Sequence, residues 1–191
     1  PDVSITLREM ERNEIERRLR EGKAGLAVML VSNLSMKPGI HVETLVHSRR
    51  ALWCAADHEL ADRHSVSLND LKDQTFVLLE LDEARKNISD YLDSKGATVA
   101  EMICTETTEA VRSLVAQGAG VTVLSDLLYR PWSLEGARIL RKPLVERPPS
   151  MNLGMVWPDG RKPSGAARLF ADFLRRECKG ILSDGIAAAR H

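Results

Sequence analysis

Thr105-Glu106-Thr107-Thr108-Glu109-Ala110-Val111-Arg112-Ser113-Leu114-Val115-Ala116-Gln117-Gly118-Ala119-Gly120-Val121-Thr122-Val123-Leu124 is the stretch on which the fold turns. A polar run opens a short amphipathic helix, a Gly-x-Gly closes it, and a β-branched strand follows. Ala110, Val111, Leu114 and Val115 share one face at helical spacing, so that face is expected in a core. Gly118 stands where a left-handed cap ends a helix, and Gly120 lets the chain turn into Val121–Leu124. Thr105, Glu106, Thr107 and Thr108 then lie at the helix N-terminus, where unpaired N–H groups and hydroxyls can seat a carboxylate or another small polar group. A capped core helix accounts for the same residues, and both readings stand at this point. The glycines are not a dinucleotide fingerprint, which needs strand, glycines and helix in the opposite order.

Working outward, Val3, Ile5 and Leu7 alternate with Ser4 and Thr6 as a strand would. Glu9 to Glu21 has helical spacing, with Met10, Ile15 and Leu19 inward and interleaved Arg and Glu on a solvated face. Leu26 to Val31 is a continuous apolar run suited to a buried parallel strand. Strand, helix, strand suggests a βαβ unit and an α/β fold. The loop after that run carries Ser32 and Asn33, off the carboxyl end of the strand, where open α/β sheets hold ligands. Strands are expected at Val42–Val46 and Ala51–Ala55 around a polar turn, Ser48-Arg49-Arg50. Further on come a helical turn at Ser67–Leu71, a strand at Thr75–Leu79, a helix at Ala84–Ser94 and a strand at Thr98–Thr105. Beyond Leu124, the pattern predicts a short helix capped by Ser125 and stopped by Pro131, then strands at Arg138–Leu140 and Leu153–Trp157. The last helix, Pro163–Arg176, should turn Ala167, Phe170, Phe173 and Leu174 inward, and residues 179–191 read as a mobile tail.

The 191 residues hold 43% hydrophobic and 28% charged side chains, ordinary values for a globular protein. Lys+Arg and Asp+Glu are equal at 27 each and aromatics are 4%, so neither a phosphate-seeking surface nor a base-stacking platform is indicated. Cys54, Cys104 and Cys178 are too few and too scattered for a disulfide framework or a structural zinc site. No stretch reads as a secretion signal or a membrane span, so the cytoplasm is the expected compartment and no membrane partner is expected.

Several pieces, in order, resemble the effector-binding domain of LysR-type transcriptional regulators. They are Pro1–Ile5, Leu19–Val28, Ala56-Asp57-His58-Glu59-Leu60-Ala61, Ser67–Leu71, Leu114–Leu124 and Phe170-Ala171-Asp172-Phe173-Leu174. Glu59 stands where the family has proline, and Gly25 stands where its Gly-x-x-Asp-Leu-Ala pattern has aspartate. The resemblance implies an α/β fold of two Rossmann-like subdomains with a ligand cleft between them, like a type II periplasmic binding protein. It divides the chain into subdomain I, residues 1–60 and 153–178, and subdomain II, residues 61–152. Subdomain I would lack its usual opening strand and helix. The resemblance further implies a small-molecule effector lined by Ser32 and Asn33 on one side and by Thr105, Glu106, Thr107 and Thr108 on the other. It implies a homo-oligomer (a dimer, or a tetramer when full length) and DNA binding only through a helix-turn-helix domain outside this chain. No cofactor is called for. Glu106 would repel a carboxylate ligand and favours an uncharged, hydroxylated or amine-bearing effector.

Two other function classes fit the sequence less well. A stand-alone solute-binding protein of the same architecture would need secretion features that the sequence lacks. An enzyme would need a nucleophile–base pair or a metal set. Cys54 and His58 are four residues apart, but strand spacing of roughly 3.3 Å per residue separates them too far to react together. His41, His47 and His64 lack ligand spacing and read as solvated loop residues. Arg130–Gly136 is the least generic loop, with Trp132 either at an interface or packed over an edge.

Overall fold

The computed structural model describes residues 6, 8–32, 34, 39–81 and 84–187, with side chains as far as residue 179. The expected strand at Val3, Ile5 and Leu7 lies outside these residues, as does Asn33. Contacts group the chain into two units, Pro1–Ser48 with Met151–His191, and Arg49–Ser150.

Unit 1 is built on a sheet of three strands, β1 (Ala27–Leu30), β2 (Ile40–Ser48) and β8 (Met151–Pro158), in the order β1-β8-β2. Both neighbours of β8 run antiparallel to it, with Ala27 opposite Val156 and Val42 opposite the same residue. Among the described strands the apolar run at Leu26–Val31 therefore pairs antiparallel, with β8, where a parallel strand was expected: a run of apolar residues does not by itself distinguish the two. Alternation along β8 sends Val156 to one face and Met155 and Trp157 to the other. The helix α1 (Arg12–Arg20) covers the first face through Leu19, which is fully buried with Met29 and Val31. The helix α4 (Gly165–Ala187) covers the second through Ala171, with Leu174 packed alongside. Gly154, in the middle of β8, permits this sheet: a Cβ there would sit 2.6 Å from the Glu43 carbonyl oxygen and 2.9 Å from Val31.

Several expectations for unit 1 change. In α1, Glu14 binds Arg17 and Arg18, and Arg17 also binds Glu21, all at helical spacing on the outer surface. Glu16 departs from the solvated face: it is 2% exposed, and Arg20 reaches it at 2.8 Å. Ser48-Arg49-Arg50 is not a turn, because β2 runs through buried Ser48 and the next strand starts at Arg50 after a one-residue break. The last helix runs past its expected end at Arg176 to Ala187, and Phe173 is 46% exposed while Ala171 and Cys178 take the inner positions. His41 and His47 lie on β2, not on loops.

Unit 2 holds β3 (Arg50–Ala55), β4 (Thr75–Leu79), β5 (Glu101–Thr105), β6 (Thr122–Ser125) and β7 (Ile139–Lys142). One ladder runs β6-β3-β7 and another pairs β4 with β5 in parallel. A parallel bridge between Phe76 and Val121 joins them into the order β5-β4-β6-β3-β7. Its hydrogen bonds run from Val77 N–H to the Val121 carbonyl at 2.8 Å and from Val121 N–H to the Thr75 carbonyl at 2.9 Å. Gly120 makes that approach possible, since a Cβ would stand 2.4 Å from the Thr75 oxygen. The helix α3 (Thr108–Ala116) packs Val111 and Val115 on one face with Val77, Leu79 and Trp53. The helix α2 (Ala84–Ser94) and the 3-10 turn Leu68–Leu71 cover the other face with Phe76, Leu78 and Leu52. That turn carries a complete capping box from Ser67 and Asp70. Tyr91 of α2 donates to the Glu146 carbonyl, and burial with the nearby Glu146 carboxylate pushes its phenol up to about 12.

Because β3 hydrogen-bonds only to β6 and β7 among the described strands, it belongs to unit 2 although residues 1–60 were expected together. The expected helix after Ser125 is a turn instead, with the Ser125 hydroxyl accepting from Leu127 N–H at 3.2 Å. Trp132 is 55% exposed and lies beneath the Arg138 guanidinium, 5.9 Å from its ring centre.

Two outcomes follow from this packing. Gly120→Ala should lower stability by about 2 kcal/mol in chemical denaturation, while Gly25→Ala, with nothing within 4 Å of its Cβ, should leave it nearly unchanged. Arg175 of α4 clamps Glu43 of β2 with two bonds of 2.7 Å, and this hydrogen-bonded pairing holds the Glu43 carboxyl below its ordinary value of 4.5. A depressed folded-state value contributes stability above the unfolded value that is lost as pH falls through the folded one. Acid titration of stability should therefore show a loss below about pH 4.5 that is smaller in Glu43→Gln.

Candidate functional site

The predicted polar run stands at one edge of the unit 2 sheet. Thr105 ends β5, Glu106 and Thr107 form the link, and Thr108 begins α3. Leu79 lies opposite Thr105 in register, and Glu80 N–H donates to the Thr105 carbonyl at 2.8 Å. Because β6 runs parallel to β4, its last residue, Ser125, reaches the same edge, opposite Arg50 at the start of β3. Carboxyl ends of parallel strands converge there, the usual ligand position in open α/β sheets.

Thr107 has extended backbone angles and caps α3: its hydroxyl accepts from Ala110 N–H at 3.2 Å and its carbonyl from Val111 N–H at 3.2 Å. Among the described residues, the N–H groups of Thr108 and Glu109 have no acceptor, so the first turn of a nine-residue helix retains two donors. Glu106 and Thr107 are exposed, and Thr105 and Thr108 are partly so. Of the acidic side chains nearby, Glu80 binds Arg85, Glu109 binds Arg112 and Asp126 binds Arg141 at 3.0 Å. Glu106 alone among these has no cation partner among the described residues. The edge thus presents helix donors, hydroxyls and one free carboxylate.

The other end of α3 is fixed as expected. Gly118 has φ of +77°, and Ala119 N–H returns to the Leu114 carbonyl at 3.0 Å, which closes the helix with a left-handed cap. Arg112 is the part the sequence reading missed. It is 8% exposed, donates to the Leu128 carbonyl at 2.6 Å, and pins α3 to the segment after β6. Burial, with Arg130 nearby, pushes its guanidinium below its ordinary value. Its spacing of three from Glu109 was the available signal.

On unit 1, Ser32 follows β1 and is partly buried. Its hydroxyl oxygen accepts from Asn152 N–H at 3.2 Å, next to the bond from Val31 N–H to the Asn152 carbonyl at 2.8 Å. Ser32 thereby fastens the loop after β1 to the start of β8. Among the described residues no group of His, Cys, Asp and Glu could hold a metal ion, and no helix is long and apolar enough to cross a membrane. Cys54 is buried, and burial raises its thiol, while the His58 Nδ1 accepts from Leu60 N–H at 3.1 Å.

The model of the LysR substrate binding domain matches residues 1–179. An uncharacterized HTH-type transcriptional regulator of Bacillus subtilis, YybE, is 26% identical over 178 residues, covering 91% of this chain and 58% of its own length. The chain thus spans little more than half of that relative. The crystal structure of HinK, a LysR family transcriptional regulator from Pseudomonas aeruginosa, has the same fold, with a TM-score of 0.76 at 24% identity over 90% of this chain and 58% of HinK. So does the Synechocystis PCC6803 CcmR regulatory domain in complex with 2-PG, with a TM-score of 0.69 at 18% identity over 87% of this chain and 79% of that domain. With the match extending over nearly its whole length, the chain belongs to the LysR substrate-binding domain family.

Proposed function

We propose that this chain is the sensing domain of a transcriptional regulator and that Thr105, Glu106, Thr107 and Thr108 of unit 2 hold its effector. The observation that carries the reading is the pair of unpartnered N–H groups at the start of α3, set among hydroxyls at the carboxyl edge of the sheet. Membership in a family whose CcmR member is known with 2-PG supports a small molecule as the occupant. The free Glu106 carboxylate favours an effector with hydroxyl or amine groups over a plain carboxylate, because an anion would pay for its approach in repulsion.

In this reading the domain senses and does not transform its ligand. Effector binding shifts an equilibrium between two arrangements by its difference in affinity for them. The shift passes to DNA through a helix-turn-helix segment of the longer regulator, within a cytoplasmic homo-oligomer. Length supports that context, since the chain spans 58% of the Bacillus relative.

Calorimetric titration with hydroxylated, amine-bearing and carboxylate metabolites tests the site. A binding metabolite should lose about tenfold or more in affinity with Thr108→Val and with Glu106→Gln, while Thr107→Ser, which keeps cap and hydroxyl, should bind as the parent does. Unchanged affinity in both Thr108→Val and Glu106→Gln would remove the effector from this edge. Thr107→Ala should in addition cost about 1 kcal/mol of stability through the lost cap.

A further inference from the structure

Unit 1 has a cleft of its own, about 710 Å³ in volume, within the size range of small-molecule sites. It opens between the end of β8, the loop 159–163 and the first turns of α4, and it uses none of the residues assigned to the effector. Its floor is Ala171, and its apolar wall is Trp157, covered by the exposed His41 ring at a centroid distance of 4.3 Å and a tilt of 30°. The outer face of that imidazole is left as a flat shelf.

The charges around the shelf are unequal. Two acidic side chains line the cleft: Asp172 binds Arg175 at 2.7 Å, while Asp159 accepts from Gly160 N–H at 2.9 Å and keeps its charge, so three cations face one uncompensated carboxylate. Arg175 is likewise occupied by Glu43 and Asp172. Arg161, Lys162 and Arg168 also line it, and among the described residues none of these three has a carboxylate partner. Arg161 extends toward Gly22, past the end of α1, so Lys162 and Arg168 are the cations best placed to serve the interior.

We infer that this cleft is a second ligand site on unit 1, taking a small molecule that joins a planar ring to a doubly charged oxyanion. The ring lies on His41, and the anion meets Lys162 and Arg168, neither of which has a carboxylate partner among the described residues. Arginine contributes paired N–H donors suited to phosphate-like oxygens, and lysine a mobile point charge. The Arg175–Glu43–Asp172 cluster holds α4 against β2 and so keeps the wall in place.

Calorimetry on the 191-residue chain with phenyl phosphate, inorganic phosphate and phenol separates the two parts. Phenyl phosphate should bind more tightly than either fragment, and its affinity should fall with added salt. Lys162→Gln and Arg168→Gln, both at exposed positions, should each weaken it about tenfold or more. His41→Ala should weaken phenyl phosphate but not inorganic phosphate. Thr108→Val and Glu106→Gln should leave all three titrations unchanged, which keeps this site distinct from the effector edge. No phenyl phosphate binding, or binding indifferent to Lys162→Gln and Arg168→Gln, overturns the site. Equal affinity for phenyl phosphate and inorganic phosphate overturns the ring shelf.

Discussion

Two hydrogen bonds between Thr75–Val77 and Val121 turn the two ladders of unit 2 into one sheet. They form only because residue 120 has no side chain: the Thr75 carbonyl occupies the place a Cβ would need. From that contact the rest of the unit follows. Once β4 and β6 lie side by side, Phe76 and Leu78 face α2, Val77 and Leu79 face α3, and every residue of β4 after Thr75 is buried. The same parallel alignment brings the ends of β5, β4 and β6 to one edge, where Thr105, Glu80 and Ser125 stand. The packing constraint and the polar edge therefore have one origin.

That edge has to satisfy opposing electrostatic demands. The start of α3 is positive by its free donors, and Glu106 is negative beside it. Thr107 satisfies one donor internally, which preserves the helix while leaving Thr108 and Glu109 N–H groups outward. Arg112 then removes Glu109 from consideration as an acceptor by binding it. What remains is a bipolar surface, better matched to a ligand with both donors and acceptors than to a simple anion.

Much of this was legible in the sequence because the signals were local. Gly118 and Thr107 bracket α3 by cap chemistry that depends on a few neighbouring residues, and α2 spans Ala84–Ser94 as its periodicity indicated. The failures were of longer range. Nothing in Leu26–Val31 distinguishes a parallel from an antiparallel neighbour, since β8 arrives from more than a hundred residues away. Polar Ser48-Arg49-Arg50 resembled a turn because a strand passing between units is also polar there. Glu16 looked solvated, and its burial depends on a sheet that helical spacing alone does not reveal. Of the site, the Thr105–Thr108 run could be placed at a helix start from sequence, whereas Glu80 and Ser125 join it only through strand order.

Unit 2 is one uninterrupted run, Arg49–Ser150, whereas unit 1 takes its middle strand, β8, from residues that follow that run. During synthesis β1 and β2 are made before β8, and among the described strands each pairs only with β8, so these ladders wait until residue 158 has been made. The inserted unit can complete its own sheet beforehand. The apolar sides of β1 and β2 therefore wait for β8 while unit 2 can mature ahead of them, and the charge-dense outer surface of α1, with its Arg17 and Glu14 pairs, suits a segment that has to wait in water.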